Sequence, residues 1–220
     1  MKIISCLRCE LDFLGQIAAA FDQMMKLTDG RIDVFINNAG IGIGGPIEFC
    51  KIEDVQKQMD VNFMGMVRWL SHVVPAMRKQ GFGKILCISS IGGLIGLPYQ
   101  GAYSASKFAM EGFCDALRLE LLKSGVSVSL IEPGDFSTGF TATRKRVNVE
   151  MASDAYPSYA RSLASIEIDE NNGLKPDYLA SQICRIVDYR AQYPNLSIHV
   201  RTVFSSARLS KQPSFHSNAG

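Results

Sequence analysis

Apolar residues follow two patterns along the chain, short continuous runs and longer stretches with helical periodicity. The helical pattern, in which apolar residues recur three or four positions apart, covers 14–28, 53–79, 101–124 and 176–190. The runs have the length of buried strands and lie at 32–37, 84–89 and 126–132, with weaker candidates at 3–7 and 196–200. Continuously apolar strands that alternate with amphipathic helices predict an α/β fold, in which helices cover both faces of a parallel sheet.

Two stretches depart from this alternation. Residues 139–175 are mixed and polar, and a connection of that length is typical of a substrate loop or lid rather than of a linker. Residues 205–220 are serine-rich and without periodicity, which indicates a disordered tail. We therefore expect a single domain over residues 1–204, followed by the tail.

Composition and charge exclude several classes of function. The 220 residues are 47% hydrophobic and 20% charged, which is ordinary for a soluble globular protein with one substantial core. A net charge of +2 is too small to indicate nucleic acid or an acidic membrane surface as a partner. The basic cluster Arg-Lys-Arg at 144–146 is short, and we interpret it as a solvated loop.

The sequence shows no pattern typical of export, membrane insertion or metal binding. No run approaches the roughly 20 apolar residues that cross a bilayer. The first residues also lack the pattern of a secretory signal, so we expect a cytoplasmic protein. The six cysteines include a lone C-x-x-C at Cys6 and Cys9, without the second pair of ligands that a zinc site needs. We expect buried, reduced cysteines and no bound metal.

The sequence INNAGIGIGGPI at 36–47 has the G-x-G-x-x-G spacing of a dinucleotide-binding loop, at Gly40, Gly42 and Gly45. A true loop of this kind leads from a strand directly into a helix, whose N-terminal N–H groups bind the pyrophosphate. Here Pro46 follows the third glycine and the helical pattern starts only near Glu53. We therefore interpret the spacing as unrelated to pyrophosphate binding.

A stronger signal lies near the start of the predicted helix 101–124, in GAYSASKFAMEGF. Tyr103 and Lys107 are four residues apart, which places both side chains on one helical face. A tyrosine has a pKa near 10, and a neighbouring ammonium lowers that pKa. Tyr103 could then exchange a proton with an alcohol or an alkoxide. The competing interpretation is a surface Tyr-Lys pair without function.

Small polar residues also follow three predicted strands in succession. These segments are NNAG (37–40), SSIGG (89–93) and EPGDFST (132–138). In an open α/β sheet, ligands bind beyond the carboxyl ends of the strands. A hydroxyl there, such as that of Ser90, is well placed to hydrogen-bond a substrate carbonyl. The coincidence favours a ligand site over three simple turns.

Taken together, the motifs resemble those of the classical short-chain dehydrogenases/reductases, in the same order and spacing over about residues 9 to 200. They are NNAG, VNFMG (61–65), ISSIGG (88–93), YSASK (103–107) and PGDFST (133–138). The segments GPIE, LPYQGAYSASKFAMEG and LRLEL further resemble the branch that holds 17β-hydroxysteroid and retinol dehydrogenases. The resemblance implies a Rossmann-like, doubly wound parallel sheet.

The resemblance also implies a role for each matching residue. Tyr103 matches the catalytic acid/base, and Lys107 the lysine that lowers the tyrosine pKa and binds the nicotinamide ribose. Ser90 matches the serine that orients the substrate oxygen, and Asn62 the asparagine that kinks its helix and holds a relay water. The implied cofactor contacts are Glu10, Asn38, Ala39, Gly40, Tyr103, Lys107, Pro133, Gly134 and Thr138.

The implied function is that of an NAD(P)-dependent oxidoreductase, which interconverts a secondary alcohol and a ketone or aldehyde. The implied partners are a small, hydrophobic carbonyl or alcohol substrate and further copies of the chain, as a homodimer or homotetramer through helix 101–124. Either NAD or NADP fits, because the strand that selects between them in the family has no counterpart here.

One family feature has no match. The sequence contains no T-G-x-x-x-G-x-G, the family's pyrophosphate-binding turn, and its first residues align with the family's third strand. We therefore expect a sheet that lacks the first βαβ unit. This leaves a second hypothesis, a non-catalytic truncated product that cannot bind the pyrophosphate of the cofactor.

Overall fold

The computed structural model describes residues 14–147, 152, 154–192 and 201–204. The strands of this part are β1 (Val34–Asn37), β2 (Ile43–Gly44), β3 (Gly83–Ile88), β4 (Val126–Pro133), β5 (Lys145–Arg146) and β6 (Arg201–Phe204). The helices are α1 (Leu14–Leu27), α2 (Ile52–Met59), α3 (Gly65–Gln80), α4 (Gly101–Glu120), α5 (Phe140–Thr143), α6 (Tyr159–Asn171) and α7 (Pro176–Gln192). The predicted strands at 3–7 and 196–200, Glu10, the C-x-x-C and the tail lie outside the described residues.

The main sheet has four parallel strands in the order β1-β3-β4-β6. In register, Asn37 of β1 pairs with Cys87 of β3, and Cys87 pairs with Leu130 of β4. Because consecutive strands run in the same direction, each connection must cross back over the sheet, and helices supply these crossovers. The predicted α/β fold with a parallel, Rossmann-like sheet is confirmed.

The two central strands are buried because helices cover both of their faces. On one face Ile85, Cys87 and Val128 pack against α1, α3 and α4, in a core that includes Met66, Val73 and Met110. On the other face Leu86, Ile88 and Ile131 pack against Phe136 and Val187, the latter from α7. Each such aliphatic side chain contributes about 1.5–3 kcal/mol when fully buried. The central strands are therefore a rigid base for the loops at their carboxyl ends.

The predicted helix over 53–79 is interrupted in the structure. Between α2 and α3, residues Asp60–Met64 form one π turn, in which the buried Asn62 lies. π turns inside longer helices are frequent at functional sites. Helix α3 then ends at Gly81, whose φ of 80° is the left-handed conformation that terminates helices at little steric cost.

The prediction that 139–175 is irregular is wrong in part. This segment contains α5, β5 and the 13-residue helix α6. Helix α6 buries only Tyr159 and Leu163, so its sequence lacks the broad apolar stripe that marks the other helices. We name residues 139–175 the cover segment.

The prediction that the basic cluster 144–146 is solvated is wrong for Arg144. The Arg144 side chain is 1% exposed and forms an ion pair with Glu170 of α6. The two residues of β5 are exposed, and each also has an acidic partner, Asp54 for Lys145 and Glu167 for Arg146. Arg144 and Arg146 therefore join β5 and the residue before it to α6 within the cover segment, and Lys145 attaches the segment to α2.

The prediction of buried cysteines holds for two of the four cysteines in the described ranges. Cys87 and Cys114 are buried, Cys50 is half-buried and Cys184 is exposed, and all four are free thiols. The prediction of burial fails for Cys184 because it lies in α7 among apolar residues that face the core, and the sequence alone does not show that Cys184 faces solvent. None of the described helices has both the length and the hydrophobicity needed to span a membrane.

Candidate active site

The carboxyl ends of β1, β3 and β4 lie side by side, and the predicted site residues gather there. Ser90 directly follows β3 in extended conformation, and its Oγ accepts a hydrogen bond of 3.1 Å from the N–H of Gly92. A Cβ on Gly92 would lie 3.2 Å from Cε1 of Tyr103, so the glycine lets the tyrosine ring approach the turn. Ser90 also hydrogen-bonds Tyr103. The serine and the tyrosine thus meet although they come from different elements.

Lys107 lies one turn after Tyr103 in α4 and is buried. Its Nζ donates a hydrogen bond of 2.9 Å to the carbonyl oxygen of Ile88, at the end of β3. The same Nζ is 5.7 Å from the centre of the Tyr103 ring. Burial lowers the pKa of Lys107 to about 8. A buried lysine anchored to the sheet excludes the interpretation of the Tyr-Lys pair as a surface pair.

The pKa of Tyr103 is raised in this structure, and the lowering of that pKa by Lys107, which the resemblance implies, stays a prediction. Burial is the largest effect on Tyr103 and raises its pKa, while the hydrogen bond with Ser90 and the charge of Arg144 lower it and Glu170 raises it. Burial prevails because the phenolate would lose its hydration in this site. Tyr103 therefore retains its proton at neutral pH, which suits a proton donor.

Asn62 links the loop after β1 to helix α4. Its Oδ1 accepts a hydrogen bond of 2.8 Å from the N–H of Ile41, and its Nδ2 donates to the Ile41 carbonyl at 3.1 Å. Nδ2 also donates to Oγ of Ser106 at 3.0 Å, and that hydroxyl donates to the Tyr103 carbonyl at 2.7 Å. The π turn that positions Asn62 therefore holds three parts of the site together.

Gln58 is a site-supporting residue that the sequence reasoning missed. It is fully buried, its Oε1 accepts from the N–H of Ile43 at 3.1 Å and its Nε2 donates to the Ile41 carbonyl at 2.8 Å. The signal was a glutamine at an inward-facing position of an amphipathic helix, where an apolar residue is expected. Gln58 and Asn62 together fix the backbone that follows β1.

The glycine-rich loop after β1 packs against the cover segment. A Cβ on Gly42 would lie 2.8 Å from Cζ of Phe140, and one on Gly45, whose φ is +157°, would lie 2.3 Å from Cγ2 of Val147. Strand β2 of this loop pairs with β5 of the cover segment. The loop continues into Pro46 and a short 3-10 turn rather than into a helix. The glycines therefore serve close packing, in agreement with the interpretation that their spacing is unrelated to pyrophosphate binding.

The remaining predicted residues surround the same edge. Asn38, Ala39 and Gly40 are exposed after β1, and a Cβ on Gly40 would lie 3.4 Å from Oδ1 of Asn62 and 4.0 Å from Nζ of Lys107. Pro133 and Gly134 lie at the end of β4. Thr138 Oγ1 accepts from the N–H of Phe140 at 3.2 Å. The one predicted contact that lies outside the described residues is Glu10.

Comparison with known proteins adds independent findings. Residues 2–148 match the family model for short chain dehydrogenases. The chain is 51% identical over 172 residues to 3-ketodihydrosphingosine reductase of Bacteroides thetaiotaomicron, an alignment that covers 78% of this chain and 64% of that protein. It is 46% identical over 115 residues to human 17-beta-hydroxysteroid dehydrogenase type 1, covering 52% of this chain and 35% of that one. The chain thus spans less than two thirds of the length of these curated relatives.

A solved structure shows the same fold. The short-chain dehydrogenase from Streptomyces avermitilis aligns with a TM-score of 0.77 and 23% identity, over 93% of this chain and 71% of that one.

The similarity to the human steroid enzyme confirms the narrower resemblance drawn from the GPIE and LRLEL segments. With the family model matching well over half of the residues, the chain belongs to the short-chain dehydrogenase family.

Proposed function

We propose that this chain is an NAD(P)-dependent oxidoreductase that interconverts a secondary alcohol and a ketone or aldehyde, with Tyr103 as general acid/base. The observation that supports this most is the meeting of Asn62, Ser90, Tyr103 and Lys107 at one sheet edge, from three separate parts of the chain. In this proposal Asn62 and Lys107 position the site, and Tyr103 and Ser90 contact the substrate oxygen.

The residues at this edge fit a nicotinamide cofactor. Around Gly40 the absence of a side chain leaves the space beside Asn62 and Lys107 open. Lys107 and Tyr103 would hold the ribose, Asn38 and Ala39 the adenosine side, and Pro133, Gly134 and Thr138 the carboxamide. The cofactor, when bound, supplies or accepts the hydride. Both NAD and NADP remain compatible with these residues.

The proton chemistry follows from the environment of Tyr103. During reduction its hydroxyl donates a proton to the oxygen of the carbonyl that receives the hydride, while Ser90 hydrogen-bonds the same oxygen. Because burial raises the pKa of Tyr103, the proton is available at neutral pH. Oxidation of an alcohol requires Tyr103 to accept a proton, so its rate should rise with pH.

The substrate class and the assembly are part of the proposal. The two similar enzymes are named for ketodihydrosphingosine and for a hydroxysteroid, and we carry over to this chain a hydrophobic alcohol or ketone. Ile47 and Ile95 support this, since they are 76% and 58% exposed, Ile47 lies next to Gly101 at the start of α4 and Ile95 follows Ser90 by five residues. Phe108 and Leu119, 46% and 66% exposed on α4, favour a homodimer or homotetramer through that helix. A cytoplasmic location remains our expectation.

The test is turnover by Tyr103→Phe, with Tyr99→Phe as the matched control. Tyr99 loses a hydroxyl that hydrogen-bonds only Ser158 among the described residues, at 2.7 Å and in an exposed position. We expect Tyr103→Phe to lower kcat by about 10²–10⁴ and Tyr99→Phe to leave it within a few-fold. Undiminished turnover by Tyr103→Phe would contradict the proposal.

A second candidate, a non-catalytic chain, is favoured by one observation, that no T-G-x-x-x-G-x-G occurs in the sequence. This motif opens the helix whose N–H groups bind the pyrophosphate in the family, so a polypeptide without it should have low affinity for the cofactor. A folded chain that neither binds NADH or NADPH nor turns over alcohols or ketones would support this candidate.

A further inference from the structure

The guanidinium of Arg144 is buried next to the proposed catalytic residues. Only one of its three nitrogens has a hydrogen-bond partner among the described residues. Its Nη2 donates to Oε1 of Glu170, while Oε2 of Glu170 accepts from the Thr141 hydroxyl at 2.6 Å. The carboxylate therefore has a partner on both oxygens. The Arg144 Nε and Nη1 atoms have no hydrogen-bond partner among the described residues.

Unpaired donors on a buried cation are unfavourable. A guanidinium that is 1% exposed cannot recover the lost hydrogen bonds from bulk water, and each unsatisfied buried group costs about 1–3 kcal/mol or more. Buried polar groups are nearly always paired in folded proteins, and exceptions frequently lie at functional sites. The free donors of Arg144 thus indicate a ligand group that the described residues do not supply.

Arg144 lies near Tyr103, with the Phe140 ring next to both side chains. Its Cζ is 5.6 Å from the centre of the Phe140 ring, and that ring is 5.8 Å from the ring of Tyr103. The arginine stem lies against the glycine-rich loop, where a Cβ on Gly42 would be 3.5 Å from Cγ and one on Gly44 would be 3.4 Å from Cδ. The two glycines leave room for the buried arginine close to Tyr103.

The free groups define the chemistry of the ligand. Nε and Nη1 are donors only, so the matching group is an oxygen that accepts hydrogen bonds. Glu170 already neutralises the charge of Arg144, and the charges of Asp169 and Glu170 both reach Asp135 at the end of β4. A substrate carboxylate would add negative charge to this acidic surrounding. A neutral hydroxyl or carbonyl oxygen fits better.

We propose that Arg144, held by Glu170, donates hydrogen bonds to a second, neutral oxygen of the substrate, on a carbon close to the one that is reduced or oxidised. This inference rests on the proposed function, and it narrows the substrate class to hydroxyketones, diketones and the corresponding diols. Arg144 is then a specificity-determining residue that contacts substrate. In this proposal Phe140 and Arg144 of the cover segment recognise the substrate, and the residues at the sheet edge transfer the proton.

Two matched pairs of ketones test this. Acetoin and butanone differ by a hydroxyl on the carbon next to the ketone, and diacetone alcohol and methyl isobutyl ketone differ by one a carbon further away. We expect the wild-type chain to favour the hydroxylated ketone in at least one pair by tenfold or more in kcat/KM, since a site built to donate hydrogen bonds rejects analogues that lack the acceptor. Isothermal titration calorimetry with the same pairs measures the preference independently of turnover.

The variants separate recognition from a structural role. In Arg144→Met the preference, measured as the ratio of kcat/KM for the hydroxylated ketone to that for the plain ketone, should fall at least tenfold. Arg144→Lys, which retains a cation for Glu170, should also lose most of the preference. Arg146→Met is the matched control, since Arg146 lies two residues away, is 38% exposed and pairs with Glu167. It should retain the preference.

Two results would overturn the inference. One is a wild-type chain that shows no preference, in turnover or in binding, for either hydroxylated ketone. The other is an Arg144→Lys variant that loses activity on both members of a pair equally, which would make Arg144 a structural residue. Neither result touches the proposed function, which is contradicted instead by full activity of Tyr103→Phe.

Discussion

The edge of the main sheet and the cover segment are built on different physical principles. At the sheet edge, Ser90, Lys107 and Asn62 are fixed by buried hydrogen bonds to backbone that the hydrophobic core holds in place. The cover segment is held together internally by the buried ion pair of Arg144 with Glu170. It is attached to α2 by the exposed pair of Lys145 with Asp54, and to the loop after β1 by the short pairing of β5 with β2. Because the sheet edge is rigid and the cover segment is attached separately, substitutions in the cover segment can change substrate recognition while the proton transfer stays the same. The predictions below test this division.

The largest expected effect is at Lys107, where activity and stability should change in opposite directions. Lys107→Met removes the group proposed to bind the ribose, so we expect turnover to fall by about 10²-fold or more. It also removes a buried cation whose pKa is lowered from 10.5 to about 8. That shift corresponds to a penalty on the order of 3 kcal/mol at neutral pH, of which the lost hydrogen bond to Ile88 offsets about 1. The variant should be about 2 kcal/mol more stable at pH 7.

The stability advantage of Lys107→Met should depend on pH, and the pKa shift of Lys107 fixes the direction of that dependence. Between pH 8 and 10.5 the unfolded chain binds more protons at Lys107 than the folded chain does, so wild-type stability rises over this range. The advantage of Lys107→Met should therefore shrink above pH 8 and disappear near pH 10.5. Urea unfolding at several pH values measures it, with the exposed Lys79→Met as control. A variant less stable than wild type at pH 7 would contradict the account.

The next effect concerns the sheet edge alone. Asn62→Ala removes three buried hydrogen bonds and leaves the Ile41 N–H without its partner, which should destabilise the fold by about 3 kcal/mol. Thermal unfolding measures the loss, and Asn172→Ala, at the exposed end of α6, is the control. A change below about 0.5 kcal/mol would show that Asn62 does not hold the edge together.

A smaller and local effect is expected in the cover segment. Glu170→Gln leaves the buried Arg144 without a countercharge, so α5 and α6 should open more often. Hydrogen exchange should become about tenfold faster in the cover segment and stay unchanged in β3 and β4. The exposed Glu53→Gln is the control. Equal acceleration in both regions would mean that cover and sheet unfold as one unit.

The smallest effect is at the exposed ion pair of β5. Lys145 is 59% exposed, so Lys145→Ala should change the free energy of unfolding by about 0.5 kcal/mol or less despite the contact with Asp54. Chemical denaturation checks this value. A loss well above that value would contradict the expectation that an exposed pair contributes little to stability.

The same division explains what could be predicted from the sequence. Strands β3 and β4 are continuously apolar because both of their faces are buried, so their positions, and that of Ser90 after β3, could be predicted. The placement of Tyr103 and Lys107 on one face could be predicted because both lie in one helix of known period. These predictions depend on local periodicity, which a single sequence contains.

The remainder depends on contacts between distant residues. The burial of Arg144 follows from Glu170, 26 positions later, and from glycines about 100 positions earlier. The raised pKa of Tyr103 follows from how completely its surroundings exclude water, which the Tyr-Lys spacing does not reveal. The π turn at Asn62 arises within a helix whose apolar pattern continues through it, so only the resemblance to the family, which implies a kink at Asn62, indicated it.

Thermal unfolding of the chain alone and with NADH or NADPH tests most directly the claim that this sheet edge is a cofactor site. At 100 times its dissociation constant, a cofactor that binds the folded chain should stabilise it by about 2.7 kcal/mol, which raises Tm by several degrees. Gly40→Val, which would fill the space beside Asn62 and Lys107, should abolish the shift. A cooperative transition that neither cofactor moves would contradict the account and favour a non-catalytic chain.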